Sequence, residues 1–545
     1  MYRPNNAPKR HPLKGYPSDM ISFPGTDANR SVPHRGRFAR LLAGSSLSAL
    51  ILAGCTVRPE PITPAEHVQR AQADYAKIYD GYVPVDHPLA LPDAIARALK
   101  YNYDAQLSQQ QITLQERQVD LAMASMLPRL ALNAGYTARS NDPAAQSINE
   151  RTKQVSLDYA FSEEPAHVTA GPEFTWTVLD LGLSYYQAKQ QGYQALVAVE
   201  RRRKVIDEIV RKVQDSYWKA MVAGTVLPRL KPILARAERI LEASREATRR
   251  QLSPDMPMLE FQREMTQVVG QLHHIDTDLN DARAQLATLI NVPTNVPLAL
   301  AQSDLDRALP SATTDTHRLE EIGLALRPEL REEAYKEKID RQDVYKEILK
   351  MMPGFGILAN FNYDSNKYLY NNTWGSVGVQ AGFNVANIIR GPRAISAAKE
   401  AVEVSKTRRL ALSVAVLSQV NLAYQSYASA VEDMRTSRDV MDVERKISGV
   451  SKNARAASSL SDAQLIQREL EEIVSELNYY HNVGLARYAL VTVYMSCGVD
   501  LVPPTVELDD LAKMSQEIGG GISPWANGKL PEVELPAAAP APEPS

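Results

Sequence analysis

Cysteine is scarce: Cys55 and Cys497 are the only two in 545 residues. That excludes a disulfide framework and a four-ligand cysteine zinc site. Aromatic residues make up 7% of the chain and the formal net charge is −3, so the charge balance gives no reason to expect nucleic acid as a partner. Past Cys55 no apolar run reaches the roughly 18 residues that a membrane-spanning helix requires. A crossing of a bilayer by this chain would therefore have to be made with strands. There is no Walker A string, no His-Glu-x-x-His and no Gly-x-Ser-x-Gly, so no nucleotide, metalloprotease or hydrolase site is expected, nor any cofactor, metal or catalytic residue. His273 and His274 are neighbours on a helical stretch, about 100° apart around its axis and poor joint ligands; they read as a solvated or packed pair. The run Arg201-Arg202-Arg203-Lys204 reads as a solvated helix face, with a lipid or partner contact as the lesser alternative.

What the chain does have begins with a targeting segment. Arg35 to Arg40 is basic, and Leu41 to Gly54 is an apolar stretch ending in Leu52-Ala53-Gly54-Cys55. The stretch is too short to span a bilayer and fits a signal h-region. The final string resembles a bacterial lipobox, which implies cleavage before Cys55 and a diacylglyceryl group on its thiol; ordinary secretion with an incidental cysteine is the alternative. Residue 56 is threonine rather than the aspartate that favours inner-membrane retention in such lipoproteins, and Met20 is an alternative start to Met1. Cys497 reads as a small packing residue near a helix end.

Two separated stretches then read alike. Leu127-Pro128 precedes an alternating run, Leu130, Leu132, Ala134 and Tyr136 on one face and Arg129, Asn133, Thr137 and Arg139 on the other. A polar loop follows, with Val155-Leu157-Tyr159-Phe161 as a possible strand extension. The chain returns through Phe174, Trp176 and Val178, and a long helical stretch runs to Gln251, with a kink expected at Pro228 and Pro232. In the second half Met352-Pro353 leads into strands at about Gly354–Tyr363 and Gly375–Val385, then a helix to about Lys446. Continuous helices are expected over Leu91–Leu127 and Leu319–Met351. The resulting division is a signal peptide at 1–54, a tether at 55–90, one helix–hairpin–helix repeat at 91–318 and another at 319–500, an equatorial segment at 501–534, and a disordered Ala/Pro tail at 535–545.

The duplicated order, and above all Trp176-Thr177-Val178-Leu179-Asp180-Leu181-Gly182, resembles the TolC-like outer-membrane efflux proteins over about Leu91 to Asp500. That family closes the same turn with Leu-Phe-Asp-Phe-Gly or close variants. The resemblance implies a mainly α fold with long helical hairpins and four strands per protomer, a homotrimer with a twelve-stranded transmembrane β-barrel, and a periplasmic α-helical tunnel. It implies passive export from the periplasm, with a periplasmic adaptor protein and an inner-membrane transporter as partners. Physics requires association independently, because four amphipathic strands cannot close a barrel alone. The alternatives are the same conduit serving type I protein or polysaccharide secretion, and a lipid-anchored periplasmic coiled-coil scaffold without a pore. A scaffold has no need of four alternating segments.

On this reading Leu130, Leu132, Phe174, Trp176, Ile357, Phe361, Val379 and Phe383 face outer-membrane lipid, and Asn133, Thr175, Asn360 and Gln380 face the lumen. Tyr363, Tyr368, Tyr370 and Trp374 read as an interfacial aromatic girdle. The turns near Leu252, Ser253 and Asp255 and near Ser459 and Leu460 fall at matching points, where the resemblance places adaptor docking. Neither turn carries the tip glycine common in the family. Asp462, with Glu260 as its rough counterpart, aligns with an aperture position in that family. The alternative for Asp462 is a helix cap, a part that Ser461 could also play.

Overall fold

The computed structural model describes residues 60–78, 83–250, 256–294, 296–301, 309–310, 315–457, 459–502 and 510–526. Two units are distinguished, Met1–Lys77 and Ile78–Ser545. Helix α1 (Pro64–Ile78), which ends where the second unit begins, buries no residue, as expected of a stretch flanked by prolines.

The second unit is built twice. Its first half contains α2 (Leu91–Tyr101), α3 (Tyr103–Ala124), β1 (Arg129–Ala138), β2 (Ala166–Thr177), α4 (Val178–Arg250) and α5 (Met256–Leu289). Its second half contains α6 (Thr316–Leu326), α7 (Pro328–Leu349), β3 (Gly354–Asp364), β4 (Thr373–Gly382), α8 (Ala386–Ala456) and α9 (Asp462–Ser496). Helices α2 and α3 have 11 and 22 residues, and so do α6 and α7. The long helices have 73 and 71 residues, and the returning helices 34 and 35. At 1.5 Å per residue α4 and α8 are each about 110 Å long. A last helix, α10 (Leu511–Ala526), packs on α2; its Ser515 hydroxyl donates to Asp93.

Both helices expected to be continuous before the strands are broken, and at the same point. Asn102 takes an extended conformation, and its side chain accepts from Asp104 N at 2.7 Å and Ala105 N at 3.3 Å. It thus caps a new helix inside what looked like one run. In the second half Pro328 forces Arg327 out of the helical region (ψ 124°). The guanidinium of Arg327 donates to Met495 O and Ser496 O, the last carbonyls of α9. Gly498 ends α9 with φ +70°, and a Cβ there would lie 2.5 Å from Arg327 N, so only glycine allows this close approach. The prolines of α4 act in the opposite way. The helix runs unbroken through Pro228 and Pro232, because both, and Gly224 one turn earlier, lie on an exposed stripe where water can take the freed carbonyls.

The helices keep the order of the strands. The sheet order is β1-β2-β3-β4, and α3 packs on α4, α4 on α7, and α7 on α8. Beyond this row α4 packs on α5 and α9, and α9 on α8. One core joins α2, the middle of α4, the ends of α5 and α9, α6 and α10, with Tyr217, Ile95, Leu286 and Met514 fully buried. Another joins α4, α5 and α9 through Leu230, Leu272 and Ile466. Cys497 is fully buried in the first core, and burial pushes its thiol up to about 11, a packing role. His273 and His274 bond to different carboxylates, Glu238 and Asp278.

The basic run at 201–204 is not simply a solvated face. Arg201 and Lys204 reach Glu332 on α7 at 3.0 and 2.6 Å, and Lys336 joins at 2.9 Å. Arg203 bonds Glu200 and Asp500, and Arg331 bonds Glu200. Glu200 and Glu332 are buried, so this network clasps the first half to the second. Burial alone would raise the Glu332 pKa, but Lys204, Lys336 and Arg201 override it and hold the carboxyl at about 2. One turn along α4, burial and then the charge of Asp500 push Asp207 up to about 7.

These two carboxyls act on stability with opposite sign. The depressed Glu332 contributes stability that is complete above its ordinary value of 4.5 and is lost as pH falls toward 2. The raised Asp207 makes the folded state bind more protons, so stability falls as pH rises from 3.8 to 7. Chemical denaturation across pH should show Glu332→Gln weaker by about 2 kcal/mol near neutrality, with the gap closing at pH 2–3. Asp207→Asn should flatten the decline between pH 4 and 7.

Candidate functional site: a two-faced sheet and two helical tips

Alternation and register together sort the four strands into two chemically distinct faces. Leu130 pairs with Phe174, Phe174 with Ala359, and Ala359 with Val377. Trp176 pairs with Ile357, and Ile357 with Val379. Partners in an antiparallel ladder share a face, and every second residue follows them. One face therefore carries Leu130, Leu132, Phe174, Trp176, Ile357, Phe361 and Val379 together. Leu132, Val377 and Val379 are about four-fifths exposed, at 81, 80 and 78%. Phe383, also exposed, follows the last ladder residue of β4.

The other face is polar. Glu173 pairs with Asn360, and Asn360 with Ser376. Asn133 donates to Glu173 at 3.0 Å, Asn362 donates to Asn360 at 3.1 Å, and the Ser376 hydroxyl donates to Asn360. Thr175 and Gln380 are on this side. So is Trp374, which pairs with Asn362, and the expected four-member girdle loses it for that reason. Tyr363 is on the apolar face; Tyr368 and Tyr370 belong to the loop between β3 and β4.

At the end of the sheet away from the helices the two loops are tied to one another. Asn366 is buried; its Oδ1 accepts from Glu164 N and Tyr368 N at 3.1 and 3.3 Å, and its Nδ2 donates to Ser162 O at 2.8 Å. Lys367 pairs with Glu164 at 2.8 Å, and Phe161 meets Tyr368 edge-on. Nothing in sequence periodicity points to Asn366. The stretch Val155–Phe161 forms no strand; it meets the preceding arm through the isolated bridges Ala145–Ala160 and Ile148–Val155 and through Ser156 N–H donating to Ser147 O, with Asn149 and the positive φ of Lys153 at the turn between the arms.

The sheet's own constraint is at Gly171. A Cβ there would lie 1.9 Å from the Phe361 carbonyl oxygen, and the next residue, Pro172, has no N–H to give the ladder. Strand β2 therefore approaches β3 more closely than any other residue type would allow.

Cys55, Leu252, Ser253 and Asp255 lie outside the described residues, as does the side chain of Asp462. Asp462 is the first residue of α9, and the cap is Ser461, whose hydroxyl accepts from Gln464 N while the Gln464 side chain accepts from Ser461 N. Glu260 is exposed near the start of α5. Ser459 is exposed and its N–H and hydroxyl both donate to Ala454 O; Leu460 is half-buried.

No protein-family model and no curated protein sequence matches the chain. Solved structures do. The outer-membrane channel CmeC of Campylobacter jejuni aligns with a TM-score of 0.59 at 12% identity, over 79% of this chain and 89% of its own. The open-state outer-membrane channel MtrE of Neisseria gonorrhoeae aligns at 0.57 and 13%, over 75% and 89%. CusC, solved in connection with folding and transmembrane channel formation, aligns at 0.57 and 13%, over 77% and 96%. At these identities the likeness is one of fold.

Gly171→Ala should force β2 off β3 and cost about 1–3 kcal/mol, read as earlier loss of the β signal on heating in detergent. Gly378→Ala, on the edge strand β4 with nothing within 4 Å of the new Cβ, should leave that transition in place.

Proposed function

The chain has the fold of the TolC-like outer-membrane efflux channels, and from this premise we propose that it is the outer-membrane channel of a tripartite efflux system. Three copies, each bringing a four-stranded sheet, close a twelve-stranded barrel with the apolar face toward lipid and the polar face lining the lumen. The long helices continue the lumen through the periplasm as a tunnel. Solutes pass through passively, handed over by an inner-membrane transporter through a periplasmic adaptor protein docked at the helical tips. The protein acts as a conduit and not as an enzyme. Lipidation at Cys55 adds an anchor to a protein that the barrel already holds in the membrane.

One observation carries this reading: four strands in unbroken register separate an apolar face from a polar face and end in two unpaired edges. A strand of 10–12 residues at about 3.3 Å per residue and tilted about 45° spans roughly 25 Å of height, which matches the apolar band of a transmembrane barrel. A scaffold without a pore has no use for the polar row of Asn133, Glu173, Asn360 and Ser376.

Single-channel recording in planar bilayers tests it. The wild type should conduct. Val379→Arg should lower barrel stability by about 2–4 kcal/mol, and Gln380→Arg, on the opposite face, by far less while changing ion selectivity. A protein that never conducts, or equal tolerance of both arginines, rules the channel topology out.

At the tips, Asp462 and Glu260 form acidic rings of three that favour cations at the periplasmic aperture. Since Ser461 provides the cap, Asp462→Asn should alter cation selectivity or block by trivalent cations without lowering thermal stability. A drop in stability with unchanged selectivity would move the aperture elsewhere.

A further inference from the structure

The two cores leave a gap where α5 and α9 run along α4. Trp218 of α4 belongs to the first core, and Val222 and Leu279 belong to the second. Between them the facing helices present small residues, Ala282 on α5 and Gly484 on α9. What remains is a cavity of about 340 Å³, walled by α4, α5 and α9 of one copy. That lies within the roughly 300–1,000 Å³ range of pockets for small organic molecules. A Cβ at Gly484 would lie 3.1 Å from Trp218 Cβ, so a larger residue there presses on the indole and narrows the space.

The cavity has an apolar body and a charged mouth. Trp218, Leu279 and Ala282 are buried, and Ile275, Leu477 and Tyr480 extend the wall. At the rim, Asp215 of α4 is half-exposed beside Lys219 at 2.7 Å. Asp278 of α5 is exposed beside His274, also at 2.7 Å. With His481 counted as neutral, two carboxylates against one lysine leave the lining net negative. The sign reverses behind the indole, where the buried guanidinium of Arg487 stands 4.9 Å from the Trp218 ring centroid. Positive charge behind the wall and negative charge at the mouth orient an occupant, apolar body inward and cation outward. The belt helices leave this mouth open. The Tyr217 hydroxyl donates to Leu89 O, next to α2, at 3.1 Å, and Lys219 is about 200° farther round α4. No residue of α2 or α10 lines the cavity.

We propose that this cavity is a binding pocket for small organic cations that carry an aromatic ring body. The ring body fills the space against Trp218, Leu279 and Leu477, and the ammonium group stays at the mouth beside Asp278 and Asp215. The pocket goes beyond the channel reading and does not depend on it, because every wall comes from one copy. It gives the chain a preference among solutes that a wide conduit alone does not have.

Calorimetric titration of the full chain in lipid nanodiscs at pH 8, with empty nanodiscs as the blank, tests it. The probe is 1-naphthylmethylamine, and the neutral 1-naphthalenemethanol is the control for charge. The wild type should take up one amine per chain and bind the alcohol more weakly. Asp278→Asn, at an exposed position, should weaken the amine about threefold and leave the alcohol unchanged. Ala282→Phe, which fills the cavity, should abolish saturable binding of both. No saturable heat in the wild type, unchanged binding in Ala282→Phe, or equal affinity for amine and alcohol overturns the pocket. If Ala282→Phe fails to fold, Asp278→Asn decides: an amine-to-alcohol preference that does not fall in that variant overturns it as well.

Discussion

The decisive constraint on the channel proposed for this chain is that a backbone amide or carbonyl cannot be left unpaired in hydrocarbon. Each such group costs several kcal/mol in lipid, and the sheet ends in two whole rows of them, on β1 and β4. A soluble protein could hydrate those edges. A sheet whose exposed face is lined by Leu130, Leu132, Val377 and Val379 is ill suited to water on that side, so hydration is no remedy. In the proposed channel, closure with further copies satisfies edges and face together. The helices then inherit their arrangement from the sheet, because each is joined to a strand by only a few residues and the row α3-α4-α7-α8 repeats the strand order.

The duplication is the second organising fact, and its matching lengths have a mechanical meaning. If both halves are to lie side by side around one axis, their strands must begin at one height and their helices must break at one height. The breaks at Asn102 and Arg327 each fall after an 11-residue helix. They are reached by different chemistry, a side-chain cap in one half and a proline in the other, which indicates that the position of the break matters more than the means. Between the halves, Glu200 and Glu332 are buried among arginines and lysines. Such a network adds little net stability over an apolar contact of the same size, but it tolerates only one register of α4 against α7.

Local chemistry accounts for what the sequence alone failed to reveal. The break at Asn102 was visible as an asparagine before Tyr-Asp and the break at Arg327 as Arg-Pro, but strong helical periodicity on both sides masked them. Pro228 and Pro232 do not end the helix, and whether a proline does so depends on whether the freed carbonyls meet water, which is not written in the proline itself. The run at 201–204 looked solvated because Glu332, the partner of Arg201 and Lys204, is some 130 residues away on α7, and Asp500, a partner of Arg203, is farther still. Trp374 looked like its tyrosine neighbours, and one position of register put it on the polar face.

By itself the sequence determined the repeat, the four strands, the two faces of the hairpins and the long helices, because period-two and period-3.6 patterns are local properties of a chain. It also placed most of the apolar face, since alternation needs no partner to be read. Only the tertiary structure decided which strand lies beside which, the close approach at Gly171, the loop tie through Asn366, and the clasp between α4 and α7. Each of these joins residues distant in sequence, and their energy depends on burial and on partners that no local pattern encodes.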